Sequence, residues 1–335
     1  MKQKILVTGA GGYIGAIATY LLLQQDYQVV AIDNFSTGFS QPLQLLQEKF
    51  GQERLRYYQL DLRDNLESFF RQETEIAAVM HYAAACKVDE SIHRPEFYFS
   101  NNSVGSQNLL VNLLKYGIKK IIFSSTCAVY GEAEYIPVDE NHPTRPKNPY
   151  GESKKITETI LQWYGELKGL RYVVLRYFNV CGASDDGMIG DSKKPSVLLV
   201  QNAVRGALGI EPFFLTCPQV NTSDGTPIRD YINVVDLNEA HIKALEYLFN
   251  SGQSEVINLG TGKGNSVKEI ITAVEKITGK QIKLQKADSI RQGEYAKMIA
   301  SINKAKKILQ WQPQRSIEDS VYSLIKWYNR HPYGW

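Results

Sequence analysis

Short apolar runs alternate with longer stretches of helical periodicity through the first half of the chain. Residues 4–7 are an apolar run that reads as a strand. Thr8-Gly9-Ala10-Gly11-Gly12-Tyr13-Ile14-Gly15 turns it into a helix whose apolar stripe is Ile14, Ile17, Ala18, Leu21 and Leu22. Further strands are predicted over 27–32, 55–60, 76–82, 118–124 and 172–178, with helices over 64–72, 95–116 and 150–167. The second strand runs into Asp33, and the third ends on Asp61. This alternation predicts an α/β fold, a Rossmann-type doubly wound parallel sheet. After Asn179 the rhythm breaks into a polar loop (182–195), a helix (197–208), a short strand (213–216), a helix (235–249) and a strand (255–259). The division expected is a Rossmann domain over 1–180, with about 235–260 packing back on it, and a smaller C-terminal α/β substrate domain over 181–335.

The glycines of the first turn have separate uses. Gly9 permits a tight turn, Gly12 lets backbone approach a pyrophosphate, and Gly15 lets the helix pack closely. The N-terminal end of a helix favours an anion through its N–H groups and its dipole. Asp33 stands about 20 residues beyond the first glycine, where a carboxylate accepts hydrogen bonds from an adenosine ribose. The same carboxylate repels a 2′-phosphate, so the cofactor expected is NAD and not NADP. Gly260-Thr261-Gly262-Lys263-Gly264-Asn265-Ser266 looks like a phosphate loop but has Asn265 where that motif needs lysine, and it reads as a turn into a helix capped by Ser266.

Composition narrows the class without deciding it. The 335 residues are 43% hydrophobic with a net charge of +3, and the pI near 8.4 comes with no lysine or arginine run. Nothing here argues for nucleic acid. Cys86, Cys127, Cys181 and Cys217 are far apart and form no CxxC pair, which predicts neither a metal site nor a disulfide framework. The first strand follows Met1 almost at once, leaving no room for a signal peptide, and no 18-residue apolar run spans a bilayer. The expectation is a cytoplasmic protein with no membrane partner.

The residues that carry chemistry are Thr126, Tyr150 and Lys154. Thr126 lies just past the predicted fifth strand, and Tyr150-Gly-Glu-Ser-Lys154 opens the next helix with both side chains on one face. A free tyrosine has a pKa of about 10. An ammonium ~4 Å away contributes on the order of 4 kcal/mol at an effective dielectric of 20, or about three pKa units. That makes Tyr150 a base near neutral pH, with the Thr126 hydroxyl able to relay or hold a substrate proton.

With Thr8-Gly9-x-x-Gly12-x-x-Gly15, these residues form a larger pattern: Asp33-Asn34-Phe35-Ser36-Thr37-Gly38, His81-Tyr82-Ala83-Ala84, Ser124-Ser125-Thr126, Tyr150-x-x-x-Lys154, Arg176-Tyr177-Phe178-Asn179 and Arg229-Asp230-Tyr231-Ile232. The chain resembles the extended short-chain dehydrogenase/reductases, the NAD-dependent epimerase/dehydratase family, over nearly its whole length. The resemblance implies NAD contacts at Gly9, Gly12, Tyr13, Ile14, Gly15, the run Asp33, Asn34, Phe35, Ser36, Thr37 and Gly38, then Asp61, Leu62, Tyr82, Ala83, Ala84, Ala85, Asn101, Tyr150, Lys154 and Phe178. It implies substrate contacts at Thr126, Tyr150, Asn179, Arg229, Arg291, Glu294 and Met298, with the two arginines on the phosphates of UDP. It also implies a homodimer through the helices over 95–116 and 150–167.

Relatives that eliminate water carry acids in the two positions after the threonine, whereas this chain has Cys127 and Ala128. The activity implied is therefore 4-epimerisation of UDP-glucose and UDP-galactose, with a dehydratase or decarboxylase, another nucleotide-sugar epimerase, or a catalytically silent NAD-sensing regulator as alternatives. The chain departs from the family at Cys86, where a lysine is usual and Lys87 follows, and at Leu198-Leu199-Val200-Gln201, Thr216 to Val220 and Arg291-Gln292-Gly293-Glu294. Met298 stands where the family's residue bordering the sugar's 2′-substituent falls, and an unbranched, adaptable side chain there predicts a preference for UDP-glucose with weak turnover of UDP-N-acetylglucosamine.

Overall fold

The computed structural model describes residues 2–193, 196–286 and 295–335. Among these, seven strands form the main sheet. Six are Lys4–Thr8 (β1), Gln28–Asp33 (β2), Leu55–Gln59 (β3), Ile76–His81 (β4), Lys120–Thr126 (β5) and Arg171–Tyr177 (β6). The seventh, Glu255–Leu259, pairs beside β6, and the order across the sheet is β3-β2-β1-β4-β5-β6 and then that strand. β1 is parallel to both β2 and β4, β2 to β3, and β4 to β5. The doubly wound architecture expected from the alternation is thus the one found. Ile5, Leu6 and Val7 are fully buried, as in a sheet covered on both faces. The strand order reverses between β1 and β4, which makes the carboxyl ends of those strands the ligand crevice of such a fold.

The connecting helices are Tyr13–Gln24 (α1), Gln41–Phe50 (α2), Glu67–Gln72 (α3), Val88–His93 (α4), Pro95–Tyr98 (α5), Gly105–Lys115 (α6) and Pro149–Lys168 (α7). α2 was not expected; it buries only Pro42, Leu43 and Leu46, too few apolar positions to stand out. The single helix expected over 95–116 is interrupted by a π turn, Phe99–Val104, where Ser106 donates its hydroxyl to the carbonyl of Asn102. A polar run, Ser100-Asn101-Asn102-Ser103, supplies the side chains that such a turn uses. The fifth strand runs on to Thr126, so this residue ends the strand and does not follow it.

The chain divides into two compact units. The first holds Met1–Gly131, Pro143–Arg176 and Asn238–Ile257, and the second Glu132–His142, Tyr177–Leu237 and Asn258–Trp335. Leu6, Ile32, Phe69, Phe70, Phe123 and Val174 belong to the core of the first. The second packs Leu199–Leu208, Val267–Thr278 and Ile317–Arg330 around Val204, Phe213, Ile270 and Trp327. Its strands are two or three residues long: Asn179–Cys181 beside Tyr231–Asn233, Phe213–Leu215 (expected over 213–216) beside Leu284–Lys286, and Ile228–Arg229 between Asn265–Ser266 and Lys297–Met298. Among the described residues no helix is long and apolar enough to cross a membrane.

Candidate active site

The glycine turn is built by close backbone approaches. Gly9 has φ +69°, and a Cβ there would stand 2.6 Å from the amide nitrogen of Ala83. A Cβ on Gly15 would stand 2.2 Å from the carbonyl oxygen of Gly9, so the helix is held against the turn itself. Gly12 differs from both. A Cβ there would meet only the Gly9 oxygen, at 3.2 Å, so the protein's own packing constrains this glycine least. It is also the N-cap of α1, where no side chain caps the helix. A position kept bare at an uncapped helix start fits the pyrophosphate of a dinucleotide.

Asp33 joins β2 to this turn. Its carboxylate accepts from the Gly11 amide at 2.9 Å and the Phe35 amide at 2.7 Å. Burial raises its pKa, opposed by those backbone donors and that of Gly12. Phe35 takes the left-handed conformation, φ +54°, and the loop folds back so that a Cβ on Gly38 would stand 2.7 Å from the Gly11 carbonyl carbon. Asn34 donates to Asp61 at 2.8 Å, and its own Oδ1 accepts from the amide and hydroxyl of Ser36. Thr37 is exposed, while Leu62 is buried beside Asp61. Both Asp61 oxygens already accept two hydrogen bonds, three of the four from Arg63. The Arg63 side chain holds the Asp61 carboxyl well below the usual carboxylate range.

The end of β4 leads into Tyr82, Ala83, Ala84 and Ala85, all half-buried. Tyr82 donates to Asn238 at 2.9 Å and stacks on His241, 4.9 Å between centroids. Ala85 is held at both backbone groups by the side chain of Asn102: its amide donates to Oδ1 at 2.8 Å and its carbonyl accepts from Nδ2 at 2.9 Å. Asn101 donates to the same Oδ1 at 3.0 Å. Asn102 also donates to Ser153 at 3.0 Å, and Ser153 donates to the carbonyl of Tyr150 at 2.8 Å. One asparagine therefore ties the loop after β4 to the first turn of α7. Sequence reasoning missed Asn102, which lies in a polar run whose spacing points to neither partner. Cys86 is exposed, and Lys87 is held by its backbone, which donates to and accepts from the Tyr98 hydroxyl at 3.0 and 2.7 Å.

α7 starts at Pro149 with Asn148 as its N-cap, whose side chain accepts from the Gly151 amide at 2.8 Å. Tyr150 therefore sits in the first turn, where the helix dipole favours a phenolate. Gly151 is required as well. A Cβ there would stand 2.6 Å from the Ala128 carbonyl, so this glycine sets how closely α7 approaches the turn after Thr126. The Thr126 hydroxyl oxygen accepts from the Ala128 amide at 3.1 Å. Tyr150, Lys154 and Thr126 are all buried. Lys154 donates to the carbonyl of Ser124 at 2.8 Å and lies 4.8 Å from the centroid of the Phe123 ring. Burial pulls its ammonium down to about 8, against the opposing pull of Cys86 and Glu158. One turn further on, Glu158 pairs with Arg176 at 2.6 Å and accepts from Ser125, and Arg176 reaches the Tyr130 hydroxyl at 3.1 Å.

The remaining predicted residues lie in the second unit. Phe178 is buried, with its amide on the carbonyl of Leu259, and Asn179 pairs with Tyr231. Arg229 donates to the carbonyl of Ile228 at 2.9 Å. Met298 is 4% exposed and stands directly opposite Arg229 in a parallel pair, which puts both side chains on one face. Arg291 and Glu294 lie outside the described residues. The Gly260 to Gly264 loop receives an internal anion: Asp230 accepts from the amides of Thr261 and Gly262 at 2.7 and 2.9 Å. Ser266 caps the helix that follows, as expected.

A family model for the NAD dependent epimerase/dehydratase family matches residues 5–260. The chain is 42% identical to a UDP-glucose 4-epimerase of Halalkalibacterium halodurans, covering 99% of this chain and 98% of that protein. It is 39% identical to a UDP-glucose 4-epimerase of Streptococcus mutans, with 99% of each chain covered. The crystal structure of UDP-glucose 4-epimerase from Bifidobacterium longum in complex with NAD+ and UDP superposes with a TM-score of 0.93 at 34% identity, covering 99% of this chain and all of that one.

The Lys154 value carries a prediction about stability. Its folded pKa, about 8, lies below the ordinary 10.5. Between those values the unfolded chain keeps the proton and the folded protein has lost it, so stability rises with pH. Denaturant unfolding of the wild type and of Lys154→Met should show the wild type gaining on the variant from pH 8 to 10.5. A difference that stays flat or shrinks over that range would contradict the assignment.

Proposed function

The chain belongs to the NAD dependent epimerase/dehydratase family, and from that membership we infer that it interconverts UDP-glucose and UDP-galactose by inversion at C4′. The observation that carries this reading is the trio at the head of α7 and the end of β5. A buried tyrosine in the first helical turn has a buried ammonium four residues on, and a buried threonine ends β5 with no carboxylic acid following at Cys127 or Ala128. Without an acid there, elimination of water lacks its proton donor and acceptor, which favours a simple epimerase.

The residues of the first unit fit NAD: the bare Gly12 at an uncapped helix start, and Asp33 where a ribose would lie and a 2′-phosphate would be repelled. Bound there, NAD supplies reversible hydride acceptance at the sugar's C4′. The protein handles the proton and the geometry. Tyr150 Oη takes the proton of the 4′-hydroxyl as that carbon is oxidised, and returns it once the 4-keto sugar presents its other face. The Lys154 ammonium and the start of α7 favour the phenolate, and the Thr126 hydroxyl holds the sugar oxygen. Asn179 and Arg229 take the nucleotide, the guanidinium matching phosphate oxygens. Arg291 is assigned the same task by resemblance alone.

The assembly we propose is a homodimer, and the setting the cytoplasm. Ile92, Val104, Val111, Trp163 and Leu167 are large apolar side chains exposed on α4, the π turn, α6 and α7. A second copy would cover them.

Three experiments test this reading. Incubated with a panel of UDP-sugars, the protein should convert UDP-glucose to a product of unchanged mass whose NMR spectrum shows inversion at C4′; loss of water would mark a dehydratase. Tyr150→Phe should lower that turnover roughly 10²–10⁴-fold with folding intact, and wild-type turnover in the variant would remove Tyr150 from the mechanism. Met298→Tyr should abolish the weaker conversion of UDP-N-acetylglucosamine while sparing UDP-glucose. If both substrates respond alike, Met298 does not border the sugar.

A further inference from the structure

His81 ends β4 and is completely buried, as are Thr8 and Ser106 on either side of it. Thr8 Oγ1 lies 2.6 Å from Nδ1, and Ser106 Oγ lies 2.8 Å from Nε2. The direction of each hydrogen bond follows from the outer partners. The carbonyl of Asn102 only accepts, so Ser106 must give it its one hydroxyl proton. Ser106 Oγ can then only accept from the ring, which places the imidazole proton on Nε2. Nδ1 is left an acceptor and receives the proton of Thr8, whose oxygen in turn accepts from the amide of Ala83 at 3.4 Å. Burial, with the Lys154 ammonium nearby, lowers the His81 pKa to about 3, so the ring is neutral at any working pH.

This chain runs from the entry to the glycine turn to the carbonyl of Asn102 inside the π turn. The Asn102 side chain holds Ala85 and, through Ser153, the first turn of α7. We propose that His81, as the neutral Nε2–H tautomer, is a positioning residue that couples the glycine turn to the π turn and so sets the placement of Asn102 and of Tyr150. The proposal rests on the epimerase reading for its kinetic arm only. His81 touches neither cofactor nor substrate in this account; it acts through Thr8 at one end and Ser106 at the other. The ring is the group that both hydroxyls bond directly.

The test uses the whole protein with its NAD. Thr8→Val and Ser106→Ala each remove one hydroxyl of the chain. Each should lower kcat for UDP-glucose about 10-fold with KM little changed, and the double variant should be about as slow as the slower single one, because both break the same relay. Thr8→Ser keeps the hydroxyl and should restore kcat to within about threefold of wild type. Effects that multiply in the double variant, or that appear in KM alone, would overturn the coupling. In protein carrying ¹⁵N only at histidine, the ring whose Nδ1 resonance moves in Thr8→Val should be a neutral Nε2–H imidazole from pH 8 down to pH 5. An Nδ1–H tautomer or an imidazolium at that site would overturn the assignment. This second readout does not need turnover. If it holds while the wild type fails to epimerise UDP-glucose, the functional reading falls and the relay stands.

Discussion

The structure depends on a buried ammonium. Lys154 is 3% exposed and has lost its water, and desolvating such an ion costs several kcal/mol even after relaxation. What it gains in return is specific: the carbonyl of Ser124 at 2.8 Å and the face of Phe123 at 4.8 Å. Both partners lie on β5, so α7 can bury its lysine only if it crosses that strand at one height and one rotation. Asn148 caps the helix and Gly151 lets its first turn approach the Ala128 carbonyl; together these fix where the helix begins. Glu158, a turn beyond the lysine, pins the same helix to Arg176 on β6 and Ser125 on β5. Tyr150 is placed as a consequence, one turn before that charge.

The dinucleotide turn is organised by a different constraint, the contact of backbone with backbone. Gly9, Gly11, Gly15 and Gly38 each stand where a Cβ would lie under 3.0 Å from a neighbouring backbone atom. The turn, the loop after β2 and the segment after β4 are therefore packed at main-chain distance, and Asp33 crosses between two of them. Phe35 holds a left-handed conformation within this knot. A bulky residue persists in that region only where its surroundings over-determine it, as ligand-holding segments do. Asn102 joins the two constraints, since its side chain grips the segment after β4 through both Oδ1 and Nδ2 and reaches α7 through Nδ2.

What the sequence makes legible is what is local. The strand, the glycine turn, the helix and the acid at the end of β2 lie within 33 residues, and the tyrosine and lysine are four apart, so spacing alone carries them. The Asn102 clamp is illegible because its partners, Ala85 and Ser153, are 17 and 51 residues away. The requirement for glycine at Gly151 is set by the Ala128 carbonyl, which no periodicity reveals. The π turn escaped because its residues still read as helix. In the second unit the strand at Phe213–Leu215 is legible, but Ile228–Arg229 and Lys297–Met298 are too short for alternation to register and show themselves only as a pair. The Gly260 to Gly264 loop shows the opposite hazard: it looks like an anion site, and the anion is Asp230 of the same chain.

The central claim is that inversion at C4′ proceeds by removing and returning one hydride while the protein moves only the hydroxyl proton. Deuterium at C4′ of UDP-glucose separates this from any route that exchanges the carbon-bound hydrogen with solvent. In ordinary water the account predicts UDP-galactose that keeps its deuterium at C4′ through many turnovers, with a slower rate than the protonated substrate if hydride transfer limits turnover. Product that has lost the label to solvent would contradict it.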